Sequence, residues 1–347
     1  MCRPPFILSG SLKIARFTFI FIFYAISVSS KTTYILTDIR VPSYSSSIMK
    51  YRILWCHSAT FEQEWITKLL EGIDYELIQG TDTSLLPLAL PLPDVLIVNS
   101  SVDYEALCAH MATADADHPF GVIHLSDETL GNSMNYLNLP SCRFAFRNYW
   151  HPVHSLHPKV TTFGLGWKKG FAAQTYLVPK IHAWSFAGCI HHETRKNTIL
   201  AFKEVTPNAV RFISSFNSAD GLDVDTYRSL VSSSMFVPCP IGHGNIDSFR
   251  LYEVLEGGAI PIAVRSTSAQ PCNPSYWSLL FDEVVPFPMV HREEDWNNAA
   301  DLVQKMWNNP DAYKELLSDV QQFWSRAKKK WNSQLITSIG ALRSYSN

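Results

Sequence analysis

From Tyr51 onward, short apolar runs alternate with stretches whose apolar positions recur every three or four residues. The runs 52–56, 75–78, 94–98, 121–125 and 143–146 read as strands, with 62–71 and 104–111 as helices between them. A Pro- and His-rich stretch, 151–158, and a glycine-spaced one, 163–170, interrupt the pattern. It then restarts, with strands at 183–187, 211–214, 235–237 and 260–264 and helices at 196–204, 226–231 and 247–256. Strands that are apolar on both faces and separated by helices belong to parallel sheets covered on both sides. The expected fold is therefore α/β: two facing Rossmann-like domains with parallel sheets and C-terminal helices. Domain one is expected over 50–170, domain two over 171–290, and helices packing across both over 291–347. Ligands of such sheets bind beyond the carboxyl ends of the strands, so the cleft between the domains is the expected site.

The N-terminal end follows a different pattern. Residues 17–28 are unbrokenly apolar and follow Lys13 and Arg16. Twelve residues fall short of the roughly 20 that span a bilayer. Residues 1–30 thus read as a signal peptide, with Ser27 and Ser29 placed for cleavage, or as an uncleaved signal anchor reaching back through Leu12 and Ile14. A buried helix is the third reading. The polar, Ser-rich 31–49 reads as a stem. Either leading reading places the body in the ER or Golgi lumen of a eukaryotic host, touching membrane only through this segment. Over the 347 residues the net charge is −2, which gives no reason to expect nucleic acid or an anionic membrane surface as partner. The seven cysteines are widely spaced without a Cys-x-x-Cys, which argues against a zinc ribbon; disulfides remain open. Asn99-Ser100-Ser101 is a glycosylation sequon set directly after an apolar strand.

Candidate chemistry concentrates in 238–264. The loop Pro238-Cys-Pro-Ile-Gly242-His-Gly244-Asn245 follows a strand and ends at a helix start, where backbone N–H groups and the helix dipole favour an anion. Ser248 opens the helix. Arg250 and Glu253 lie one turn apart on one face, either as a surface ion pair or as a cation and a carboxylate for a ligand with phosphates and sugar hydroxyls.

The stretch 234–261, with Pro240-Ile-Gly242, Ser248-Phe-Arg250, Glu253 and Gly257-Gly258-Ala-Ile-Pro261, resembles the exostosin family of glycosyltransferases. His124-Leu-Ser-Asp127-Glu128, Phe146-Arg-Asn-Tyr-Trp150, Gly164-Leu-Gly-Trp-Lys-Lys-Gly170, and Phe186-Ala-Gly188 with Arg195 are similar to its ribitol xylosyltransferase-like branch. The resemblance implies a GT-B fold and inverting transfer from a nucleoside-diphosphate sugar, by family default a uridine nucleotide, to a glycan or glycoprotein hydroxyl. It implies that Arg250 contacts the diphosphate, that Glu253 contacts the ribose and that Arg195 is a second phosphate contact, with no metal or other cofactor. Cys239 departs from the basic or polar residue common at its position.

Inversion requires a general base near the acceptor. Asp127 and Glu128 follow a strand on the crevice side and are the candidates, Asp127 preferred; Ser126 or Asp127 could instead cap the next helix. Arg147 and Tyr149 would line the cleft or pack at the sheet edge. Lys168 and Lys169 would meet phosphate or acceptor, or be exposed linker charges. Asp115-Ala-Asp117 and Asp223-Val-Asp225 match the Asp-x-Asp of metal-dependent GT-A enzymes but sit where caps are common. His151, His154 and His157 and the run His191-His192-Glu193 read as loop residues. The competing functions are a metal-dependent GT-A enzyme and a non-catalytic glycan-binding or scaffold protein on the same fold.

Overall fold

The computed structural model describes residues 50–56, 60–80, 92–99, 110–111, 115, 117–172, 178–190, 193–215, 218–265, 275–291 and 295–345. The N-terminal apolar segment, the stem, most of the 104–111 helix, and Ser100 and Ser101 of the sequon lie outside these. Asn99 itself is buried at the end of its strand.

The described strands form two sheets, parallel throughout. The first runs β2-β1-β3-β4-β5-β6: β1 Tyr51–Trp55, β2 Tyr75–Gln79, β3 Val95–Val98, β4 Phe120–His124, β5 Cys142–Arg147 and β6 Val160–Thr162. The second runs β11-β10-β9-β7-β8: β7 His182–Gly188, β8 Asn208–Phe212, β9 Ser234–Cys239, β10 Ile260–Val264 and β11 Met289–Val290. Reading the second from β8 gives the same order as the first through β5. In each, the strand order reverses beside the first strand of the unit, between β1 and β3 and between β7 and β9. Those reversals are where ligands bind in open α/β sheets.

Among the described elements that escape the sequence pattern are β6, β11 and the helix Tyr276–Phe281. The two strands are three and two residues long, too short to show a period. β8 begins at Asn208, three residues before the expected start, because its half-exposed edge carries little apolar signal. The His-rich stretch does contain one helical turn, Pro152–Ser155, with Pro152 at the first position, where a missing N–H costs nothing.

A continuous apolar core joins the two sheets, and tryptophans dominate its centre. Trp65, on the helix Gln63–Leu69, meets Trp167 of the connecting loop at 4.7 Å and Trp324 of the long helix Pro310–Leu342 at 5.8 Å between ring centroids. Its indole N–H donates to Gly164 O at 3.0 Å. The loop fits only because it is glycine-spaced: Gly166 sits at φ 75, and a Cβ there would fall 2.1 Å from the Trp65 ring. Emptying the Trp65 position should cost about 3–5 kcal/mol. The long helix is pinned on both sides. Asn332 donates to Leu69 O and Glu71 O, while the buried Glu256 carboxylate takes Trp324 N–H and Lys328 Nζ, each at 2.7 Å. Trp296, Trp324 and Trp331 are buried packing anchors, and Trp307 is half-buried against the same core.

Candidate active site

The second sheet brings two guanidiniums to its strand-order reversal. Arg250, on the helix Phe249–Glu256, lies across the end of β7, its Nη2 donating to Ala187 O at 2.9 Å and its plane 4.5 Å from the Phe186 ring centroid. Gly188 makes this possible, since a Cβ there would stand 2.4 Å from Arg250 Nη2. Arg195, on the helix Glu193–Phe202, reaches the same corner. It donates to Cys189 O, Cys189 Sγ and Ile241 O, each at 3.1 Å, so it spans the ends of β7 and β9. Burial and then the like charge of Arg250 pull Arg195 below the usual guanidinium range. The Nε of each arginine is buried without a partner, and neither forms an ion pair among the described residues. Two adjacent cations held only by carbonyls, a thiol and a ring face are poised for an anion.

Arg250 and Glu253 do not pair with each other. Glu253 points beneath the helix to the Tyr227 hydroxyl and the backbone of Lys168. Burial pushes its carboxyl up, opposed by the charges of Lys168 and Arg250. Lys168 is thus tied to the second domain through its backbone, and its ammonium is held down by burial. Lys169 differs from its expectation as a site residue: its backbone N–H donates to Phe61 O at 2.6 Å while its side chain is exposed.

The glycine loop also differs from a simple phosphate cradle. Glu128, from the first domain, fills it: Gly244 N–H and Asn245 N–H donate to Glu128 Oε1 at 2.7 and 3.2 Å, and Asn245 Nδ2 donates to Glu128 O at 3.3 Å. At Gly242 a Cβ would fall 2.9 Å from the same oxygen. The anion nest exists, but a side-chain carboxylate occupies it, so Glu128 clasps the two domains rather than standing free as a base. Ser248 is the N-cap of the Arg250 helix, and its side chain makes no capping bond.

Asp127 is consumed differently. It is buried, pairs with Arg147, and accepts Gly131 N–H and Asn132 N–H at 3.0 and 3.1 Å. Arg147 also donates to His124 Nδ1 at 3.1 Å, and burial with the Arg147 charge keeps His124 well below its usual range, hence neutral. This buried network engages both carboxylate oxygens of Asp127 and ties up the Arg147 guanidinium. Tyr149 is buried in a left-handed turn, φ 61, at the end of β5. Burial and then the fields of Glu128, Asp247, Glu62 and Asp127 hold its hydroxyl well above the usual tyrosine range.

Two carboxyls of this surround carried no sequence signal. Asp247 accepts from Tyr252 Oη at 2.8 Å and Tyr276 Oη at 3.3 Å, and burial raises it to about 7. Glu62 accepts from Ser126 Oγ at 2.8 Å, and burial raises it to about 8. Both lie singly in loops, and only the fold shows that both act on the buried Tyr149 hydroxyl. The Asp-x-Asp pairs have structural duties: Asp115 takes Asp117 N–H, Asp223 caps its helix by accepting Thr226 N–H at 2.9 Å, and Asp225 pairs with Arg228. Among the described residues no group of three or more His, Cys, Asp or Glu is arranged to hold a metal, and Cys56, Cys189 and Cys239 are free thiols.

No protein-family model and no curated protein matches this sequence. Solved structures are similar to it in fold. Anabaena HepE in complex with UDP is 11% identical, with a TM-score of 0.51 over 84% of this chain and 100% of that one. A DNA-modifying β-glucosyltransferase, solved in the presence and absence of uridine diphosphoglucose, is 12% identical, with a TM-score of 0.50 over 84% of this chain and 100% of its own. At such identities the likeness is one of architecture: the chain has a GT-B fold, two parallel-sheet α/β domains closed by C-terminal helices.

Proposed function

We propose that this chain is an exostosin-like inverting glycosyltransferase that moves a sugar from a nucleoside diphosphate to the hydroxyl of a glycan or glycoprotein. The observation that carries the reading is the pair Arg195 and Arg250, side by side at the strand-order reversal of the second sheet, neither in a salt bridge among the described residues. A leaving nucleoside diphosphate gains charge as the glycosidic bond breaks. Fixed cations at its oxygens stabilise the transition state more than the ground state. The helix start at Ser248 adds backbone donors of the same polarity. Glu253, on the same helix, is assigned to the ribose hydroxyls. These donors meet the leaving-group charge without a divalent ion, so transfer should persist in excess chelator. The UDP bound to the structural neighbours makes uridine diphosphate the first nucleotide to test. The body is assigned to the ER or Golgi lumen, delivered by segment 17–28.

The test is donor hydrolysis by the full chain over a panel of UDP-sugars, with UDP binding followed by calorimetry. Release of UDP from at least one sugar supports the reading. Neither binding nor hydrolysis of any panel member removes it.

A further inference from the structure

Glu62 immediately precedes the helix Gln63–Leu69, beyond the carboxyl end of β1, the strand at which the first sheet reverses its order. Its side chain is fully buried, yet Oε1 meets no hydrogen-bond partner among the described residues. Leaving a buried carboxyl oxygen unbonded lowers stability, and a catalytic role is one recognised reason for a fold to keep one. The other oxygen is oriented by Ser126, whose left-handed φ of 54 turns the loop after β4 so that its hydroxyl meets Glu62. The preceding residue, Phe61, places Glu62 at the domain junction. Phe61 meets the Phe249 ring edge-on at 5.7 Å, one residue from Arg250, and Phe61 O holds the interdomain loop through Lys169 N–H. Glu62 therefore lies on the first domain's contact with the start of the donor helix.

Two of the other carboxyls are engaged elsewhere: Asp127 is neutralised by Arg147, and Glu128 is bonded into the glycine loop. Asp247 accepts two tyrosine hydroxyls through Oδ2 and, like Glu62, keeps a buried oxygen, Oδ1, without a partner among the described residues, but it lies on the donor domain, directly before the helix that carries Arg250.

Building on the glycosyl-transfer reading, we propose that Glu62 is the general base, with Ser126 as its positioning residue. Glu62 Oε1 takes the proton of the acceptor hydroxyl, whose oxygen lone pair forms the new bond to the anomeric carbon. The bond from that carbon to the diphosphate oxygen breaks, and its electron pair leaves on the nucleoside diphosphate beside Arg195 and Arg250. The protonated Glu62 then returns its proton to solvent.

Glu62→Gln in the full chain tests this, with water as acceptor and UDP-sugars as donors. The expected variant binds UDP within threefold of wild type, keeps or raises its thermal midpoint, and hydrolyses donor at least about 100-fold more slowly. Wild-type kcat/KM should rise with pH through a limb near 8, the value to which burial brings Glu62, and the variant should lack that limb. A variant that keeps both rate and limb overturns the assignment. So does a lowered midpoint with the pH dependence of the residual rate unchanged, since that marks a structural role. A wild type that binds UDP but hydrolyses no panel sugar removes the base and leaves the nucleotide site. A wild type that binds no UDP removes the donor reading, and the base with it.

Discussion

Arg147 ends β5 of the first sheet, and Arg250 lies across the end of β7 of the second, yet the two domains treat these cations in opposite ways. Arg147 is fully buried and neutralised by Asp127, with His124 held neutral beside it. Arg250 and Arg195 bond only to carbonyls and a thiol, with a ring face against Arg250; they feel the charges of Glu253 and Glu128 respectively but form no salt bridge with either. A guanidinium with its own carboxylate stabilises a domain; one without is kept for a ligand's charge. The contrast separates structure from function on a fold whose halves share one strand order, and it can be broken from either side.

The largest effect should come from the paired side. Asp127→Ala leaves the Arg147 guanidinium buried and uncompensated, and should cost about 3–5 kcal/mol in urea unfolding. Arg250→Ala should leave unfolding nearly unchanged but cost about 1.5–3 kcal/mol of UDP affinity, the worth of a charged hydrogen bond. A stability loss matching that of Asp127→Ala would place Arg250 in the same structural class. The buried carboxyls at the domain junction give a pH signature. Glu62 and Asp247, at about 8 and 7, lie above their unfolded values. Their contribution is fully present below the unfolded carboxyl pKa and is lost as pH rises through the folded ones. The thermal midpoint should therefore fall between pH 5 and pH 8.5, and Asp247→Asn should flatten part of the fall. Gly188→Ala should have the smallest effect. Its methyl displaces Arg250 from Ala187 O, weakening UDP binding about fivefold while the sheet persists.

The alternation of apolar strands and helices made two α/β units legible, because strands buried on both faces carry an unmistakable run. Where the signal was short or half-exposed, as at β6, β8 and β11, periodicity had nothing to act on. The donor corner was legible for a different reason: Arg250, Glu253 and Ser248 share one helix, so their spacing alone puts them together. Their partners were not legible. That Arg250 reaches back to Ala187, and that Glu253 turns under the helix to Tyr227 and Lys168, depends on contacts between residues far apart in sequence, 63 positions for Arg250 and Ala187. The acidic side shows the limit most clearly. Asp127 and Glu128 are adjacent, follow the right strand, and look equivalent. One is buried under Arg147 and the other spans 116 residues to Gly244. Glu62 had no motif, and it stands out only through its burial and its unbonded oxygen.

The claim that the second sheet holds its arginines for a nucleoside diphosphate is tested most directly by calorimetric titration of UDP into wild type and into the double variant Arg195→Ala/Arg250→Ala at low salt. The account predicts saturable one-site binding to wild type and a loss of at least about 100-fold in the double variant, whose unfolding midpoint stays close to wild type. Equal affinity for UDP in the two proteins would contradict it.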